Sequence, residues 1–171
     1  PVASLGFAPF LVLPTWMFVA IPIAVVGWLV ARWRPTPLGL AVIAVCIAWP
    51  TTQMRTISAN PVVWMTAFLA LGLRYRWPAA LILLKPSLLP FALMGVRSGG
   101  WWLVVVALAV ASLPFLGETL RYPSVLLDSQ GGGVTYSLPD VPMLLIPLVA
   151  FLARARARPS DEDRGPRGSI T

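Results

Sequence analysis

Pro78-Ala79-Ala80-Leu81-Ile82-Leu83-Leu84-Lys85-Pro86-Ser87-Leu88-Leu89-Pro90-Phe91-Ala92-Leu93-Met94-Gly95-Val96 is apolar except at its centre. A cation at the middle of an apolar helix costs about 2.5–3.5 kcal/mol on insertion scales. Lys85 should therefore face a cavity or a partner rather than lipid. Pro86 has no N–H and frees the carbonyl of Ile82, four residues back, so local unwinding is predicted beside the lysine. Unwound backbone next to a cation is a reasonable site for an anion such as a phosphate, with Ser87 as a neighbouring candidate. The plain alternative is a lysine snorkelling from a short re-entrant helix.

The rest of the chain has the same character. It has 171 residues, 58% of them hydrophobic and only 11% charged, where soluble domains carry about 25% charged residues. Mean hydropathy is +0.81. Such a chain has too little polar surface to wrap a water-soluble globule and too much apolar surface to stay disordered, so an integral membrane protein is expected, with the lipid bilayer as its first partner. The chain contains no His, which excludes Ser-His-Asp and Cys-His catalysis and the commonest zinc and haem ligands. Cys46 stands alone in an apolar run and reads as a small buried residue. No cofactor is expected.

The fold class predicted is all-α: a polytopic transmembrane helix bundle of about five spans plus one re-entrant or proline-kinked segment. Residues 1–153 form the membrane region and 154–171 a polar, disordered cytoplasmic tail. Apolar runs cover 5–30, 36–50, 61–73, 78–96, 101–117 and 141–153. Pro9, Pro14 and Pro22 predict kinks in the first. The chain opens on Pro1 and reads as part of a longer one. Twelve of the 13 cations are Arg, in short loops and the tail, which is what the positive-inside rule produces. The net charge of +7 thus reports topology, and no nucleic-acid partner is expected. If 78–96 dips in and returns, Arg32, Arg34, Arg74, Arg76, Arg97, Arg154, Arg156, Arg158, Arg164 and Arg167 share the inner side. Arg55 and Arg121 lie outside and Lys85 within the membrane.

Two polar connections fall on the outer side. The first holds Gln53, Arg55, Ser58 and Asn60, and is either a plain loop or a binding element. The second, 118–140, offers Glu118, Asp128 and Asp140 with Arg121 and Gln130. Carboxylates in such a loop could ligate a divalent metal or act as a base, or could be solvated charges. Gly131-Gly132-Gly133 lacks the spacing of a nucleotide loop and reads as a turn. The eight Trp read as interface anchors rather than sugar platforms.

From Ser58-Ala59-Asn60-Pro61 to Leu84-Lys85-Pro86-Ser87, and on to Arg97 and Trp101-Trp102, the chain resembles the distal half of bacterial glycosyltransferase family 87, of the GT-C superfamily. The resemblance covers about 45 residues. It implies transfer of a sugar from a polyprenyl-phosphate donor to a glycan or glycolipid acceptor outside the cytoplasm. It also implies a multi-pass protein of the bacterial inner membrane whose catalytic acid lies upstream of Pro1, leaving the catalytic residue unknown. Lys85 becomes the candidate for the donor phosphate, and Ser87, Arg55, Asn60, Asp128 and Gln130 the further candidates for substrate binding. Against it stands a non-catalytic membrane subunit packed into a larger complex of membrane proteins. A transporter half is disfavoured by the lack of a second broken segment.

Overall fold

The computed structural model describes residues 15–115, 117 and 138–154, and every regular element among them is helical. The one extended pairing among them is an isolated antiparallel bridge between Pro35 and Arg154. All-α is therefore the fold class. Pro9, Pro14, the 118–137 connection and the tail beyond 154 lie outside the described residues.

Helix α1 (Thr15–Trp33) continues through Pro22 as a single helix. Pro37 opens α2 (Pro37–Ala48) at its first position, where a missing N–H costs nothing, and the Thr36 hydroxyl accepts from the Gly39 N–H at 3.3 Å. Pro50 then forces Trp49 out of the helical region, at φ −63° and ψ 130°. The chain bends by 60° into α3 (Pro50–Ile57). The polar connection expected over 51–60 is thus mostly helix. Pro50 pre-sets its first turn, and Ser58 to Asn60 close its last. The Ala59 N–H reaches the Thr56 carbonyl at 3.1 Å, and the Asn60 N–H reaches the Arg55 carbonyl at 2.9 Å. This is a Schellman closure whose left-handed position, usually Gly, is held by Ala59 at φ 50°.

Asn60 then starts α4 (Val62–Tyr75), its side-chain oxygen accepting from the Val62 N–H at 3.0 Å. Val62, Val63, Met65 and Leu69 of α4 pack against Met143 and Leu144 to form the main core. The last two belong to the final helix, labelled α7 (Val141–Leu152). A second core joins Ile43 and Cys46 of α2 to Ile146 and Ala150 of α7. Cys46 is buried there, as its sequence context predicts.

Residues 77–95 form no single helix. A 3-10 helix (Trp77–Leu84) stops at Lys85, whose backbone sits at φ −124° and ψ 89°. A 3-10 turn (Pro86–Leu88), a short α5 (Leu89–Ala92) and another 3-10 turn (Leu93–Gly95) follow. The path doubles back. A methyl group at Gly95 would lie 2.2 Å from the carbonyl oxygen of Arg76, so the segment's two ends touch and Lys85 is its far point. The Trp101 indole of α6 (Gly99–Ser112) fixes the return, donating to the Ala92 carbonyl at 2.8 Å. Eight residues of 3-10 helix reach roughly 16 Å. Helix α4, which ends where this segment begins, is about 21 Å long. Lys85 therefore returns nearly to the level at which α4 starts.

The elements give the bundle two distinct ends. Phe18 meets Trp64 near the starts of α1 and α4, at 5.6 Å between ring centroids. Trp33 meets Phe151 at the finishes of α1 and α7, at 5.5 Å. The Thr36 N–H donates to the Ala153 carbonyl at 2.9 Å, where Gly39 is needed because Ala153 stands 2.6 Å from where its Cβ would be. Exposed Arg32, Arg34, Arg74, Arg76, Arg97 and Arg154 all belong to that finishing end, and Arg55 to the other.

No single helix among the described residues is long and apolar enough to cross a membrane; α2 and α3 together pass the test as a bent pair. The surface is apolar nonetheless: Leu103, Val106 and Val110 of α6 and Leu38 and Val45 of α2 are all exposed.

Gly95→Ala should destabilise the protein by about 1–3 kcal/mol, because the added methyl meets backbone that cannot yield. Ala59→Gly should stabilise it by about 1 kcal/mol by relieving the left-handed alanine. Denaturation midpoints of the purified protein check both signs.

Candidate functional site

Three side chains from three separate parts of the chain converge at the starting end. Asp140, the residue before α7, is fully buried at 0% exposure. Its Oδ1 lies 3.0 Å from Arg55 Nε, and its Oδ2 accepts from the Lys85 ammonium in a close ion pair. The side chains of Arg55 and Lys85 keep 30% and 19% of their exposure. Each partner is delivered by a local sequence feature. Arg55 sits in the last turn of α3, where the helix dipole favours a cation. Lys85 sits at the break that Pro86 enforces. Asp140 occupies the N-terminal cap position of α7, where the dipole favours an anion.

The two contacts differ in kind. The Lys85 ammonium hydrogen-bonds Oδ2, whereas Oδ1 has no aligned hydrogen bond although Arg55 is within ion-pair distance. Lys85 is thus the directional partner, and Arg55 compensates charge while leaving donors of its planar fork uncommitted to the carboxylate. Asp140 is the one carboxylate among the described residues. Among the described residues the cluster brings two cations to one anion. General-base work by Asp140 is disfavoured, since the carboxylate is fully buried with a cation beside each oxygen.

Beside the cluster, α1, α2, α3, α4 and α7 border a half-open cavity of about 410 Å³. Its lining is apolar (Pro22, Val26, Ile43 and Met143 among others) apart from Thr52, Gln53 and Thr56 of α3 and Thr66 of α4. Thr52 is buried, and its hydroxyl has no hydrogen-bond partner among the described residues. Thr56 and Met143 lie within one helical turn of Arg55 and Asp140, so the cavity adjoins the charged cluster.

Among the residues singled out from sequence, Arg55 and Lys85 come together. Ser87 lies in the turn after Lys85 and is half-buried. Asn60 does not join the cluster through its side-chain oxygen, which caps α4. Asp128 and Gln130 lie outside the described residues. No three His, Cys, Asp or Glu side chains gather among the described residues. Asp140 was legible only as one of three loop carboxylates. The signal that would have singled it out is its place next to Val141-Pro142, directly before an apolar run, which is a helix-start signature. No protein-family model, curated protein or solved structure matches the chain.

Removing Asp140 alone should strand two cations. Asp140→Leu is expected to cost about 3 kcal/mol, whereas Asp140→Leu combined with Lys85→Met should recover about half of that loss. A double-mutant cycle on unfolding free energy measures the coupling directly.

Proposed function

We propose that the chain is the membrane-embedded carboxy-terminal part of a GT-C-type glycosyltransferase of the bacterial inner membrane. In this reading the Arg55–Asp140–Lys85 cluster receives the phosphate of a polyprenyl-phosphate sugar donor. The observation that carries the proposal is the convergence of a guanidinium and an ammonium on a fully buried carboxylate at a proline-broken backbone. Asp140 holds both cations in place. The Arg55 fork beside an ammonium suits a phosphate monoester or diester.

The polar and apolar parts of the site support the same ligand class. The cavity beside the cluster is sized and lined for hydrocarbon, as a polyprenyl chain would require. The segment 77–95 reads as a re-entrant hairpin entering from the arginine end. That end reads as cytoplasmic by the positive-inside rule, and the cluster end as extracytoplasmic. A hairpin entering from the cytoplasm then carries Lys85 deep enough to meet a phosphate presented from the other side.

A second reading is favoured by one observation. Asp140 engages both cations, so the cluster also works as a clasp joining α3, the hairpin and α7 in a non-catalytic membrane subunit.

The two readings separate on donor binding. In the full-length protein, Lys85→Gln and Arg55→Gln should each weaken retention of a radiolabelled polyprenyl-phosphate sugar by about tenfold, the loss of one charge-assisted contact. Retention equal to wild type in both variants, with stability alone reduced, would favour the clasp.

A further inference from the structure

The arginine end gathers a second group of cations, distinct from the Asp140 cluster. The Pro35–Arg154 bridge and the hydrogen bond from the Thr36 N–H to the Ala153 carbonyl pin the α1–α2 turn against the end of α7. This brings Arg34, next to the bridging Pro35, and Arg32, in the last turn of α1, to the corner occupied by Arg154, and all three are exposed. Arg154 is not a loose surface arginine. Its guanidinium lies over the Phe151 ring at 4.2 Å, and Phe151 in turn meets Trp33 edge-on at 76°.

Stacking uses the face of a guanidinium and leaves its N–H donors in the plane, directed outward from the ring, where an oxyanion can take two of them. No carboxylate among the described residues neutralises this corner, since Asp140 is at the opposite end and engaged there. The aromatic pair beneath the cations is the kind that sits at the level of lipid headgroups.

We propose that Arg154, stacked on Phe151, and the neighbouring Arg34, supported by Arg32, bind the phosphodiester headgroup of an anionic phospholipid. The proposal rests on the membrane reading above but not on the sugar-transfer activity. The second arginine group of the same end is its internal control. Arg74, Arg76 and Arg97 are equally exposed, but Arg74 is placed only over its sequence neighbour Tyr75, at 5.1 Å. A general attraction of cations to an anionic surface would treat the two groups alike, whereas a built site would not.

The test uses the full chain in nanodiscs of phosphatidylcholine with or without phosphatidylglycerol, and counts lipids retained on release by native mass spectrometry. Wild type should retain phosphatidylglycerol in preference to phosphatidylcholine. Arg34→Gln with Arg154→Gln should lower that retention about tenfold, and Arg74→Gln with Arg76→Gln should leave it within about twofold of wild type. Equal losses in the two double variants, or none in either, would overturn the site. Displacement of the lipid by millimolar inorganic phosphate would show a free-anion site and overturn the assignment to a lipid. A chain that enters nanodiscs of neither composition would overturn the membrane reading, and this site with it.

Discussion

One buried carboxylate organises this fold. Asp140 has no exposure, and a charge in that position is tolerated only with compensation at close range. Its two partners come from chain segments that would otherwise have little reason to meet. Arg55 belongs to a short helix bent away from its predecessor, and Lys85 to the tip of a broken hairpin. The constraint runs in both directions. The carboxylate requires α3 and the hairpin to reach the start of α7, and it gives Lys85 a partner within an otherwise apolar segment. Once that end is fixed, α4 and α7 run side by side from it, and the exposed arginines collect at the other.

That polarity gives the structure its physical character. Charge is absent between the ends, where α2, α4, α6 and α7 present Leu, Val, Ile and Ala, many of them outward. Among the described residues the charge is buried and paired at one end and exposed and basic at the other. The membrane reading proposed above accounts for both features, since a bilayer excludes unpaired charge from its interior and sorts arginine to one face. The individual described helices are short, α2 and α3 together are long and apolar enough for a span but bent by 60°, and the 77–95 segment doubles back.

Much of this was legible before any coordinate. The all-helical class follows from composition and apolar run lengths, and most helix limits fall within a few residues of the runs that predict them. The break at Lys85 follows from Pro86 alone. What sequence could not supply was the partner of Lys85. Asp140 lies 55 residues downstream, and its place before Val141-Pro142 marks a helix start without pointing to Lys85. Long-range pairing of charge depends on how the helices pack, and packing is decided by shapes such as the close approach of Gly95 to Arg76. Residues 51–57 misled for a different reason. Their polarity reads as a loop, whereas Pro50 and the Schellman closure at Ala59 make them a helix with one apolar and one polar face.

Membrane-impermeant maleimide labelling in sealed, right-side-out vesicles tests most directly whether the cluster end and the arginine end face opposite sides of a bilayer, using Ser58→Cys for the first end and Arg97→Cys for the second, each in a Cys46→Ala background. Labelling of position 58 from outside, and of position 97 only after the vesicles are opened, is the expected result. Labelling of both positions from the same side would contradict the proposed orientation.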